Sequence, residues 1–261
     1  MKRIIIHILV FMFLPPIIGI LIGVIGIENS ILQMIVGYGL WIYLVFIKKI
    51  ITFQGAGNQI KIKPNPNATP CFAIIDVETT GLIKYDETPT KKSLQEDPNN
   101  FPRIVQIACT TLSRKYEIFQ EKVYYIKQSL PIPIDAVKIH KITNETCEEK
   151  GYELEEILRK FSEDLTPCDY YVGHNVMFDK RVIEAECIRS RITKPFKYMK
   201  KYDTMQMGRE IMGRRWFKVE ELGLKFFGKK QMKEFDLHSA EDDVAITAVC
   251  FAWLHKKGYK Y

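Results

Sequence analysis

The chain has 261 residues, 47% of them hydrophobic and 26% charged, with a formal net charge of +7; that length admits one sizeable domain, or a smaller domain with an extra segment. Its six cysteines are scattered, with no Cys-x-x-Cys pair, so nothing points to a disulfide framework or a thiolate zinc site, and reduced, buried thiols are expected. Lys2, Arg3, Lys48 and Lys49 against Glu28 account for +3 of the charge, leaving only +4 for residues 50–261.

Residues 4–27 contain no acid, Lys or Arg, and at roughly 20 residues per span they are long enough to cross a bilayer. Glu28-Asn29-Ser30 interrupts the run, and residues 31–47 form a second uncharged apolar stretch. Two spans joined by a polar turn predict a transmembrane hairpin over residues 1–50. The apolar core is too long for a cleaved secretory signal, and no small-residue cleavage site follows it. Positive residues before and after the pair place both ends, and the domain beyond, in the cytoplasm. Residues 51–69, rich in Gly, Pro and Asn, read as a linker, and a soluble domain is expected over 70–261.

That domain opens on residues 71–82, CFAIIDVETTGL. The apolar start reads as a strand buried on both faces. Side chains at i and i+2 share a face of a strand, so Asp76 and Glu78 project together from its end. Two hard carboxylates in one cleft suit Mg²⁺ or Mn²⁺; the simpler alternative is a strand that runs out into a polar turn. Residues 84–102 read as a long surface loop. Strands are expected over 103–112 and 118–127, paired antiparallel across a short turn. Helical spacing follows at 135–142 and 152–165, with a short helical turn opened by Thr143. A strand at 169–173, a helix at 176–189, a strand at 197–203 and a helix at 239–256 complete an α/β pattern with a mixed sheet.

Two further clusters carry possible chemistry. His174-Asn175 precedes Asp179, and at a spacing of four on a helix Asn175 and Asp179 share a face; alternatively Asn175 caps the helix and Asp179 sits in its favourable first turn. His238-Ser239-Ala240-Glu241-Asp242-Asp243 offers Ser239 as an N-cap, with Asp243 just inside the helix.

Asp76-Val77-Glu78-Thr79-Thr80-Gly81-Leu82 resembles the first exonuclease motif of the DEDD family of 3′–5′ exonucleases. His174-Asn175 with Asp179 is similar to the second motif. His238 with Asp243 five positions on resembles the third, in the form that marks the histidine (DEDDh) branch. Ile139-His140-Lys141-Ile142-Thr143 is similar to a segment of the DNA polymerase III proofreading-subunit group, with Lys141 where Gly is usual. The resemblance covers about residues 70–255. It implies a ribonuclease H-like fold, a mixed five-stranded sheet flanked by helices, here preceded by two transmembrane helices.

It also implies two Mg²⁺ or Mn²⁺ ions held by Asp76, Glu78, Asp179 and Asp243, with His238 as general base. Thr79, Thr80, Gly81, Leu82, His140, His174 and Asn175 would meet the substrate. The expected reaction is metal-dependent removal of nucleotides from single-stranded 3′ ends, DNA before RNA. An RNA-trimming enzyme and a non-catalytic membrane-tethered nucleic-acid-binding module are the alternatives. Expected partners are a single-stranded 3′ end, the membrane, and a polymerase or repair assembly. Residues 189–233 carry fourteen Lys or Arg against four acids, interleaved with Tyr198, Tyr202, Trp216, Phe217, Phe226 and Phe227, a composition able to track phosphates and stack bases. Taken one at a time, each of these aromatics is expected in the core.

Overall fold

The computed structural model describes residues 51–55, 58–62, 64–232 and 239–259. The chain divides into two units, 1–51 and 52–261. The two apolar runs expected to span a membrane, 4–27 and 31–47, lie outside the described residues, and so does His238. Among the described residues, no helix is long and apolar enough to cross a membrane.

The stretch expected to be a linker carries β1 (Ile51–Gly55) and β2 (Asn58–Ile62), which pair as a two-stranded sheet. The main sheet contains β3 (Pro70–Thr79), β4 (Ile104–Ser113), β5 (Ile118–Ile126), β6 (Gly151–Tyr152), β7 (Tyr170–Gly173) and β8 (Lys200–Asp203). They lie in the order β6-β5-β4-β3-β7-β8. β3, β4 and β5 form an antiparallel meander, whereas β7 and β8 run parallel to β3. Six strands replace the expected five. The addition, β6, has only two residues paired to the end of β5, too few to show any alternation in sequence.

The surface loop after β3 contains a short helix, α1 (Lys91–Glu96), started by a reciprocal cap between Thr90 and Ser93. α2 (Ile134–His140) and α3 (Asn144–Lys150) follow β5, the latter capped by the Thr143 hydroxyl. α4 (Leu154–Leu165) and α5 (Met177–Arg189) flank β7. α6 (Thr204–Met207), α7 (Arg209–Met212) and α8 (Val219–Met232) occupy a stretch where no elements were expected; α8 is broken at Gly228, whose φ of 76° is left-handed. α9 (Ala240–Lys256) closes the domain.

The two-residue period of β3 separates its faces. Ala73, Ile75 and Val77 turn toward Ile157, Leu158 and Phe161 of α4 and Val182 and Ile183 of α5, in one buried cluster. Phe72 turns the other way, onto Phe251 of α9 with ring centroids 5.0 Å apart. Asp76 and Glu78 share the parity of Phe72, so they emerge on the side covered by α9.

Candidate active site

β3 is buried from Cys71 to Ile75, and then Asp76 and Glu78 are half-buried while Val77 and Thr79 remain buried. A register shift in the pairing with β4 falls between Glu78 and Thr79, so the strand breaks its ladder right after the second acid. Thr80 holds the turn through two backbone links to Arg103: its amide donates to the Arg103 carbonyl at 2.9 Å, and its hydroxyl accepts from the Arg103 amide at 2.9 Å. Thr79 donates to the Gly81 carbonyl at 2.7 Å. Leu82, next along, is 81% exposed.

The third acid comes from α9. Ser239 caps this helix by accepting from the Asp242 amide at 3.3 Å, and the Asp243 amide donates to the Ser239 carbonyl at 3.0 Å. Asp243 therefore lies in the first turn of a helix packed across β3 and β4. One carboxylate oxygen from each of Asp76, Glu78 and Asp243 lies within 4.8 Å of the others. Asp243 Oδ1 is buried and has no hydrogen-bond partner among the described residues.

Asp179 approaches from α5, on the opposite layer. β7 pairs with β3 only as far as Val172 beside Ile74, and a buried amide beyond that point needs another acceptor. Asp179 Oδ1 takes the Val77 amide at 3.1 Å, which seats the carboxylate against the strand between Asp76 and Glu78. Asp179 is 4% exposed. Close approach requires Gly173 at the end of β7: a Cβ there would fall 2.8 Å from Val176 Cγ2 and 3.1 Å from the Ile75 carbonyl.

The carboxylates repel one another in a half-buried site. Burial first, then Asp179, Asp243 and Glu78, push the Asp76 carboxyl well above its ordinary range. Glu78 is pushed up to about 7 by burial and Asp243, and Asp243 up to about 7 by burial, Glu220 and Asp242, with the Lys218 ammonium opposing. Asp179 is raised by burial, with the amides of Val77 and its own backbone opposing. Four acids crowded together, with one buried oxygen unpartnered, are a donor set that suits hard divalent cations.

The remaining expected site residues separate into two groups. The 79–82 turn and Asn175 border the acids. Asn175 has a left-handed φ of 63°, and its amide donates to Asp203 Oδ1 at 3.0 Å; the side-chain cap considered for it does not form, α5 having no side-chain cap hydrogen bond. The two histidines are turned inward. His174 donates from Nε2 to the Phe217 carbonyl at 2.7 Å, and its Nδ1 lies 3.0 Å from the Thr204 hydroxyl, so both ring nitrogens are engaged by the protein. His140 is 5% exposed, with Nδ1 accepting from the Ile142 amide. Burial lowers both imidazoles from their ordinary value and keeps them neutral. His174 ties the end of β7 to the segments at Thr204 and Phe217, while His140 holds the turn from α2 into α3 and lies against the Thr79 backbone.

Sequence reasoning passed over Asp203. It is 2% exposed, and its Oδ1 accepts from both the Asn175 and Met205 amides at 3.0 Å. It thereby ties the left-handed turn before α5 to the start of α6. An acid ending a strand just before a helix is the visible signal of such a cap.

Fold and site together define an α/β nuclease. The chain belongs to the exonuclease (RNase_T) family, whose model matches residues 73–251, a span that contains Asp76, Glu78, Asp179 and Asp243. DNA polymerase III subunit epsilon of Rickettsia felis is 26% identical over 183 residues, covering 69% of this chain and 72% of that protein. The subunit from Rickettsia conorii is similar to the same extent. Among solved structures, E. coli Exonuclease I in complex with a dA16 oligonucleotide shares the fold, with a TM-score of 0.55 and 21% identity over 71% of this chain and 40% of that one. The chain thus spans less than half of Exonuclease I.

Proposed function

We propose that this chain is a 3′–5′ exonuclease of the histidine branch that shortens single-stranded DNA from its 3′ end. The observation that carries the reading is the convergence of Asp76, Glu78 and Asp243 within 4.8 Å, with Asp179 set against the same strand. These acids, Asp76, Glu78, Asp243 and Asp179, would hold two Mg²⁺ or Mn²⁺ ions. Bound there, the ions neutralise phosphate charge and make water nucleophilic at neutral pH.

The protein's own groups do the rest. The acids, unable to relieve their mutual repulsion internally, are held ready for cations by β3, α5 and α9. His238, with an unperturbed pKa near 6.5, takes the proton from the attacking water. Water adds to phosphorus as the bond to the 3′ oxygen breaks, releasing a nucleoside 5′-monophosphate. The shortened strand keeps a 3′-hydroxyl, with its proton supplied by solvent. The 79–82 turn, pinned to Arg103, borders the acids where the terminal nucleotide enters. The likeness to DNA polymerase III epsilon subunits supports a polymerase or repair assembly as partner. The two apolar runs support tethering to a membrane with the nuclease domain facing the cytoplasm.

The test uses the full chain in detergent with 3′- and 5′-labelled single strands of DNA and RNA, in Mn²⁺ or EDTA, with Asp76→Ala as control. Stepwise loss from the 3′ end that needs both metal and Asp76 is the expected result, faster on DNA. Faster loss on RNA would reassign the substrate, and strands that are bound but never shortened would make the protein a binding module.

A further inference from the structure

The basic stretch 189–233 contains seven aromatic residues, and the fold sorts them. Phe196, Phe217 and Phe227 are buried. Tyr202 packs among Phe72, Tyr170 and Phe251, and Phe226 stacks on Trp253 with centroids 4.4 Å apart. Only Tyr198 and Trp216 are exposed among the seven, at 86% and 61%. Each has a cation over its ring: Lys197 at 4.9 Å for Tyr198, and Arg215 at 5.6 Å for Trp216.

Strand direction separates these two. β3, β7 and β8 run parallel, and the acids cluster at their carboxyl ends, beyond Gly173 of β7 beside Asp203 of β8. Tyr198 precedes Lys200, the first residue of β8. At about 3.3 Å per residue it lies on the order of 10 Å or more back along the sheet, at the opposite edge.

Trp216 is at the catalytic edge. The carbonyl of its neighbour Phe217 accepts from His174 Nε2 at 2.7 Å, and the Phe217 ring meets the His174 ring at 5.3 Å. Phe217 also fills the space a Cβ on Gly208 would need, with its Cζ 3.0 Å away. Two residues on, Lys218 is close enough to act on the Asp243 carboxyl. The loop is thus fastened to the second motif on one side and reaches the third on the other. Its apolar anchor, Phe217, points inward while Trp216 faces solvent.

Charge on this loop favours a polyanion. Arg214 pairs with Glu221, and Lys218 with Glu220 at 3.6 Å. Arg215 forms no ion pair among the described residues, and its guanidinium rests on Trp216. A large flat ring held by a guanidinium, exposed beside an acid cluster, is suited to stack a nucleobase while the cation meets the adjoining phosphate.

We propose that Trp216 is a base-stacking platform for the single strand whose 3′ end enters the carboxylate cluster, with Arg215 beside it contacting phosphate. The proposal rests on the nucleic-acid reading of the site, and its test is separable from that of strand shortening. Binding is measured for the full chain in detergent carrying Asp76→Ala, so that strands stay intact. The probes are oligothymidylates, either intact or with a single abasic position moved stepwise from the 3′ end.

Stacking predicts a loss of affinity when the abasic position reaches the platform. Trp216→Ala should weaken binding of the intact strand roughly 5- to 100-fold and flatten the abasic profile. Trp216→Phe, which keeps a smaller ring, should lie between. Trp216→Ala binding as tightly as its parent would overturn the proposal. So would weaker binding with the abasic profile unchanged, since Trp216 would then only support the loop. No strand binding by the parent would overturn it as well. If the Trp216 dependence appears but the Asp76-containing protein never shortens a strand, the platform stands and the exonuclease reading falls.

Discussion

Replacing Asp243 with Asn should stabilise the metal-free protein while removing a ligand. Asp243 is raised from its ordinary 3.8 to about 7, by burial first and then by Glu220 and Asp242. The folded state therefore holds a proton that the unfolded state has released, and stability falls as pH climbs from about 4 to about 7. At about 1.4 kcal/mol per pH unit the penalty is at most about 4 kcal/mol once both states are ionised; relaxation of the cleft should bring the measured value nearer 1–3 kcal/mol. Asn matches the shape of the neutral acid, so the variant should equal the wild type near pH 3.5 and exceed it progressively until pH 7–8. The aromatic cluster around Phe72, Tyr116, Tyr202 and Phe251 should provide a near-UV circular dichroism signal for urea unfolding in EDTA. In saturating Mn²⁺ the order should reverse, because binding to the folded state stabilises only the protein that keeps its ligands. An Asn variant no more stable than wild type at pH 8 in EDTA would refute the reasoning.

Other perturbations test the supports of the site. Gly173→Ala forces a methyl to within 3 Å of Val176, and should cost about 1–3 kcal/mol while slowing strand shortening by displacing Asp179; unfolding and turnover rates of one preparation check both. Asp203→Ala leaves the Asn175 and Met205 amides without their acceptor, costing about 1–3 kcal/mol and lowering kcat more than it raises KM. Glu186 is fully buried, 2.7 Å from Arg103 and 3.2 Å from Arg189. Glu186→Ala should cost about 3 kcal/mol, with partial recovery on adding Arg189→Met; an unfolding series on the single and double variants decides it.

Much of the domain could be read before any coordinates. The apolar run into Asp76-Val77-Glu78 displays its own period, and a strand of that kind can only put both acids on one face. The alternation of β4 and β5 and the spacing of α4, α5 and α9 are local properties too, which is why these elements appear within a few residues of their expected bounds. The resemblance of their motifs to the exonuclease family made Asp179 and Asp243 candidates. It could not say that they arrive from opposite layers, because that follows from the parity of β3 and from β7 ending early and leaving the Val77 amide to be satisfied.

The inward turn of His140 and His174, the hinge role of Asp203, and the exposure of Trp216 beside a buried Phe217 likewise depend on which backbone groups lacked partners once the sheet had formed. Composition announced a basic, aromatic-rich stretch. Only the direction of three parallel strands decided that Tyr198 lies at the far edge and Trp216 at the catalytic one, since side chains about twenty residues or more from either motif have no local pattern that records which end of the sheet they will reach.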